Sequence, residues 1–334
     1  MKRKNIKHWG LFITLQLITL SLFAQGPNNT GTYYKSANGL KGKALKTAMF
    51  KIIRNHSQLS YDGLWTAFST TDKREDGKVW DMYSDKTNYV FGSSAQGANY
   101  RKEGDSYNRE HSFPKSWFND AKPMYTDLVH LVPTDGYVNN RRSNYPFGEN
   151  NGEKYKSNKG FSKLGKCTYP GYSGIVFEPN DMYKGDFARI YFYMATAYED
   201  KIANWSGSEF PKIASHDSYK PYKDWQMNML IEWAKKDPVS QKEIDRNRGI
   251  QQQQNNRNPF VDYPGLEEYI WGSMQNVAFS YDNYQGVSSI PFIEFETEPI
   301  YPKGWYNLNG QKVGDECPTQ KGIYIHHGKK MVIE

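Results

Sequence analysis

Two short stretches carry most of the residues that could do chemistry. In Tyr107-Asn108-Arg109-Glu110-His111-Ser112-Phe113-Pro114 an imidazole stands beside a carboxylate. Asp127-Leu128-Val129-His130-Leu131-Val132-Pro133-Thr134-Asp135 then runs through Gly136-Tyr137-Val138 to Asn139-Asn140-Arg141-Arg142. The apolar runs put Glu110 and His111 at one strand and residues 128–132 on a second. After a turn that Thr134 or Asp135 can cap, the Asn and Arg residues fall in the first turns of a helix. Imidazole, carboxylate, carboxamide and guanidinium would then converge on one spot. These are groups suited to hydrolysing a phosphodiester. Mg²⁺ prefers oxygen ligands and keeps several waters, so one carboxylate and one carboxamide suffice. Such an ion offsets charge developing on the phosphate and on the leaving oxygen. A neutral imidazole can take a proton from attacking water at neutral pH, and an arginine can grip a phosphate with two donors.

Each of these residues also has a plainer reading. Glu110 could serve as an ion-pair partner of Arg109 or Arg142. Either Asn139 or Asn140 could reach a metal while the other caps the helix. His130, on an apolar strand, reads equally as a site residue and as a histidine bonded to a backbone carbonyl. Arg141 and Arg142 read as phosphate contacts or as a solvated helix face.

The surrounding pattern predicts what positions them. Leu40, Ala44, Leu45, Ala48, Met49, Ile52 and Ile53 form one stripe of an amphipathic helix over 40–56. Helices are also expected over 186–199 and 222–236, the latter with Trp225, Met229 and Trp233 as a core stripe. Another opens at a capping box made by Ser240 and Glu243, and a last one covers 266–271. Prolines 291, 299 and 302 mark a linker over 273–304, and residues 305–334 alternate as strands. Arg257 and Asn258 are read as loop ties. His326-His327 in the tail could bind a metal, but two exposed histidines on a β edge more often have no such role.

The chain has 334 residues and a formal charge of +7. Its 9 Trp, 26 Tyr and 17 Phe rule out wholesale disorder. Lys2, Arg3, Lys4 and Lys7 precede an apolar run from Leu11 to Phe23, so residues 1–24 read as an export signal that ends at Ala24. Without those four cations the charge is 7 − 4 = +3, too mild for bulk charge to identify a polyanionic partner. No later apolar run approaches the roughly 20 residues of a spanning helix. With only Cys167 and Cys317, the fold cannot depend on disulfides; one pair or two thiols both remain open.

At its chemistry-bearing motifs the chain resembles the bacterial endonuclease I family, secreted or periplasmic nucleases with a ββα-metal site. The likeness runs from about Tyr34 to Trp271. It includes Ser60-Tyr61-Asp62-Gly63-Leu64-Trp65, Val79-Trp80-Asp81-Met82-Tyr83-Ser84-Asp85, Asp237-Pro238-Val239-Ser240 and Asn256-Arg257-Asn258-Pro259-Phe260. Asp262-Tyr263-Pro264 departs where the family often carries His, at a position given no catalytic role. The resemblance implies an α+β fold, a ββα-metal nuclease core embedded in a mostly helical domain over 25–272, with a small C-terminal β module. It implies His111 as general base, Glu110 and Asn139 as ligands of one divalent ion (Mg²⁺, with Mn²⁺ or Ca²⁺ as substitutes), Arg142 as a phosphate contact and His130 near the site. The expected substrate is DNA, with RNA as a second, cut without sequence preference by an exported monomer. Rival readings are an inactive extracellular nucleic-acid-binding protein and a surface adhesion protein. Residues 305–313 and 321–325 resemble the C-terminal sorting modules of exported Bacteroidetes proteins, implying export machinery as a partner; a plain β cap is the alternative.

Overall fold

The computed structural model describes residues 26–284, 286, 304–307, 311–326 and 329–333. The proposed signal over 1–24, most of the proline-marked linker and His327 lie outside the described residues. The chain forms two units, Met1–Val287 and Ser288–Glu334.

In the first unit, α1 (Gly42–Ile53) and α2 (Gly63–Thr71) precede β1 (Tyr107–His111), β2 (Leu131–Asp135) and α3 (Gly136–Arg142). A three-stranded sheet of β3 (Tyr155–Lys156), β4 (Lys163–Lys166) and β5 (Ile175–Glu178) follows. Then come α4 (Lys184–Ala197), α5 (Asp224–Lys236), α6 (Gln241–Gln254), α7 (Pro259–Asp262) and α8 (Leu266–Ile270). This is the expected mixture of helix and sheet.

Helix α4 is the axis of the core. Every residue from Gly185 to Ala197 is buried, as in a helix enclosed on all sides, and it packs on α1, α5 and α7. From α1 it receives the Leu45, Met49 and Ile53 stripe, and Trp225, Met229 and Trp233 of α5 are core residues as expected. Both halves of the capping box at Ser240 and Glu243 form at the start of α6. Arg257 makes a buried ion pair with Asp262 (2.5 Å) and Asn258 caps α7, so both tie loops.

The linker begins later than residue 273. Phe279 is buried, and its backbone exchanges hydrogen bonds with Gly39 (2.7 Å) and Leu40 (2.9 Å). Residues 274–284 therefore finish the first unit's core.

The second unit is a four-stranded antiparallel sheet in the order β7-β6-β8-β9, from β6 (Trp305–Tyr306), β7 (Lys312–Gly314), β8 (Gly322–His326) and β9 (Lys329–Ile333). The His326 ring stacks on Trp305 at 4.4 Å, and its Nδ1 lies 3.0 Å from the Gly304 carbonyl. Cys167 and Cys317 are both free thiols, one in each unit.

Candidate active site

Strands β1 and β2 pair antiparallel, with Glu110 opposite Val132 and His111 opposite Leu131. Helix α3 starts directly after β2, without a loop. Asp135 makes that corner. One carboxylate oxygen accepts the Val138 N–H (2.8 Å) as the helix cap, and the other accepts the Tyr89 hydroxyl (2.6 Å) and the Gly104 N–H (2.7 Å). Gly136 is required by close approach, since a Cβ there would sit 2.6 Å from the Tyr100 ring. This is an N-cap with two extra anchors.

The pleat sends successive side chains of β1 to opposite faces. Asn108 and Glu110 meet α3, where the Asn139 amide donates to Asn108 Oδ1 (2.7 Å). Glu110 Oε1 accepts the Tyr83 hydroxyl (2.8 Å) and Arg142 Nη1 (2.7 Å). Of the two adjacent asparagines, Asn139 is the half-buried one and Asn140 is exposed. Burial pushes the Glu110 carboxyl above its ordinary value, opposed by Arg142 and by hydrogen bonds from Tyr83, Arg142 and Asn139.

Arg109 and His111 occupy the other face, so β1 does not itself bring the imidazole onto one spot with the carboxylate and carboxamide as expected; the two sides meet only at the strand's end, where His111 is the last residue. His111 Nε2 lies 3.0 Å from the Tyr125 carbonyl. A carbonyl only accepts, so Nε2 carries the proton and Nδ1 keeps its lone pair. The ring packs against Tyr125 (5.3 Å), His130 (5.5 Å) and Tyr61 (6.1 Å), and the residue is only 5% exposed. Burial chiefly, assisted electrostatically by the neighbouring His130, Lys115 and Arg109, holds its pKa well below the usual histidine value, against the Tyr125 carbonyl that raises it.

His130 is fully buried. Its Nε2 donates to the Met124 carbonyl (2.7 Å). The two histidines thus pin consecutive carbonyls of one 3-10 turn, Met124–Thr126. Of the two readings of His130, the carbonyl-bonded one is what the geometry displays, in a position that steadies the turn holding His111.

Arg142 departs from the expected phosphate contact. It is 1% exposed, and besides Glu110 its guanidinium donates to the carbonyls of His111 (3.0 Å) and Ser112 (2.7 Å). A group so enclosed braces Glu110 and the end of β1. The ion-pair reading of Glu110 is thereby realised with Arg142 (2.7 Å). Arg141 is exposed beside Tyr137, donating to its hydroxyl (2.6 Å).

Several supports had no signal in the sequence. Tyr125 contributes through a backbone oxygen, which any residue possesses. Arg246, buried in α6, donates to the carbonyls of Leu128 (2.7 Å), Leu131 (2.7 Å) and Val129 (3.1 Å) and to Asp72 (2.8 Å), fixing the entry to β2. Tyr83 sits in a motif already noted, yet its bond to Glu110 spans 27 positions.

The two-ligand set can be tested against a divalent ion on these contacts. Among the described residues no group of three or more His, Cys, Asp or Glu could hold a metal. Tyr83 and Arg142 both bond Glu110 Oε1, and Asn139 donates through its nitrogen to Asn108. The Glu110 carboxylate and Asn139 Oδ1 make an all-oxygen pair that fits a largely hydrated Mg²⁺.

The chain is similar to proteins named as nucleases. An extracellular ribonuclease of Bacillus amyloliquefaciens is 38% identical over 252 residues, covering 73% of this chain and 79% of that protein. An extracellular ribonuclease of Bacillus subtilis (strain 168) is 36% identical over 267 residues, 77% and 84% of the two chains. A periplasmic deoxyribonuclease of Aeromonas hydrophila is 29% identical over 142 residues, 42% and 48%. The pattern of the family described as Endonuclease I matches residues 41–265, which include β1, β2, α3 and every support of His111 named above; the chain belongs to the endonuclease I family.

Proposed function

We propose that this endonuclease is a divalent-metal-dependent enzyme that cuts DNA and also RNA by water attack at phosphorus, with His111 as the general base. The observation that carries the reading is the His111 tautomer. Nε2 is committed to the Tyr125 carbonyl (3.0 Å), so Nδ1 has the lone pair needed to receive a proton. As water oxygen bonds to phosphorus, its proton passes to Nδ1 and the P–O3′ bond breaks. The departing 3′ oxygen takes a proton from solvent, and His111 returns its own to solvent. The products end in 5′-phosphate and 3′-hydroxyl. Glu110 and Asn139 would hold the ion, Mg²⁺ or in its place Mn²⁺ or Ca²⁺, which when bound supplies positive charge to the phosphate. Arg142 keeps Glu110 in place rather than touching substrate. Contacts confined to phosphates give affinity without base discrimination, which accommodates both polymers. Relatives named for ribonuclease and for deoxyribonuclease activity, extracellular and periplasmic, support that substrate range and export of this chain.

The test is to incubate residues 25–334 with plasmid DNA and with a structured RNA, in Mg²⁺ or in EDTA. Both polymers should be cut in Mg²⁺ only, with 5′-phosphate ends. Cutting that persists in EDTA, or RNA fragments with 5′-hydroxyl ends, would contradict the proposal.

A further inference from the structure

With Arg142 enclosed, the groups that meet the substrate's phosphates must be sought elsewhere. Two cations, Lys115 and Arg109, stand over the tyrosine rings that pack against His111. The Arg109 guanidinium lies 3.5 Å from the Tyr61 ring centre and 4.5 Å from that of Trp65. Tyr61 stacks on Tyr125 at 4.8 Å, and the Lys115 ammonium sits 5.6 Å from the Tyr125 ring. The sequence of groups is Trp65, Arg109, Tyr61, Tyr125, Lys115, with His111 beside the two tyrosines. Because the pleat puts Arg109 and His111 on one face of β1, the ladder and the open nitrogen of the base share a side.

Four features make this a phosphate grip rather than a base-stacking platform. The Tyr61 ring already has Arg109 on it and Tyr125 stacked with it, which leaves little ring face for a nucleobase. Cation–π contact orders long side chains before substrate arrives. Both cations are paired at rest with exposed carboxylates, Arg109 with Asp62 (3.2 Å, side chain 94% exposed) and Lys115 with Asp120 (2.7 Å, 53% exposed). Exposed ion pairs are worth only about 0–1 kcal/mol, so a phosphate can displace either carboxylate at little cost. Among the described residues the remaining Arg109 donors have no hydrogen-bond partner, since its hydrogen bonds to Tyr61 and Asp62 both use Nη1.

We infer that Lys115 and Arg109, held on the Tyr61–Tyr125 ladder, are the phosphate-binding residues of the strand being cut, and that Asp120 and Asp62 occupy them until substrate displaces the carboxylates. This rests on the nuclease reading above and names the groups through which substrate is held. Lys115 and Asp120 should then respond with opposite signs.

The test measures kcat/KM on a 20-nucleotide single-stranded DNA in Mg²⁺ across a salt series. Lys115→Gln should lower kcat/KM on the order of 10-fold, the scale of one charged hydrogen bond. It should also reduce the log–log salt slope by about 0.7, one phosphate contact on a single strand. Arg109→Gln should behave alike, Lys115→Arg should restore the slope, and Asp120→Asn should raise kcat/KM by up to about 5-fold. Lys51→Gln, an exposed charge on α1, controls for net charge. If wild type cuts but Lys115→Gln keeps its kcat/KM and slope, or Asp120→Asn lowers kcat/KM, the ladder assignment is overturned and the nuclease reading stands. If wild type cuts neither this strand nor plasmid DNA, both fall together.

Discussion

At the scale of single residues, enclosure separates the two arginines of α3. Arg142 should be a stability residue first. Arg142→Ala leaves Glu110 without its ion-pair partner and two carbonyls without donors, a loss of about 3–5 kcal/mol. In a unit of this size that lowers Tm by roughly 10 °C, and a thermal melt reads it directly. An unchanged Tm with a raised KM would instead mark Arg142 as a substrate contact. His130 makes a prediction in pH. Burial is the main reason its pKa lies below the usual value, with Arg246 and His56 assisting and Asp127 and the Met124 carbonyl opposing. The folded state therefore favours neutral His130, whereas the unfolded chain takes up its proton near pH 6.5. Stability is thus present above about pH 6.5 and lost as pH falls through that value toward the lower folded pKa. His130→Gln keeps a donor for Met124 but cannot titrate. Urea midpoints at two pH values, one on each side of the unfolded pKa, should fall less on acidification for the variant than for wild type.

Elements explain why some of this was legible in the sequence and some was not. The adjacency of Glu110 and His111, the asparagine after the second strand and the Asp135 cap are local patterns, and β1, β2 and α3 realise them in order. The Ser240–Glu243 capping box and the Trp225/Met229/Trp233 stripe were legible for the same reason. Periodicity could not tell which of two adjacent arginines turns inward. In a helix of seven residues that depends on the angle at which α3 leaves β2. The turn at Met124–Thr126 has no hydrophobic period, and what it offers the histidines is backbone oxygen, which carries no sequence signature. The corner itself can be tested. Asp135→Ala removes a cap worth about 1 kcal/mol and strands the Tyr89 hydroxyl and the Gly104 N–H. It should also shift Asn139 relative to Glu110, and misplacement on the order of 1 Å costs about 10²-fold in rate. Comparing kcat with Tm checks this: activity should fall far more than a modest loss of stability explains.

For the whole molecule, every proposed catalytic and supporting residue lies in the first unit, Met1–Val287. Residues 25–287 should therefore fold and retain full nuclease activity. Ending the chain at 272 should not be equivalent, because it removes Phe279 from the core, a loss of about 3–5 kcal/mol for a buried Phe. Thermal melts of the two truncations decide between these boundaries. In the proposed mechanism His111 takes the proton while Glu110 and Asn139 hold the ion. The most direct measurement is plasmid cleavage against Mg²⁺ concentration for His111→Ala, Glu110→Ala and Asn139→Ala. His111→Ala should lose about 10²- to 10⁴-fold in kcat with its half-saturating Mg²⁺ unchanged, whereas the other two should need more Mg²⁺ as well as turn over slowly. Cleavage by His111→Ala within a few-fold of wild type at saturating Mg²⁺ would contradict the assignment of the base and the mechanism built on it.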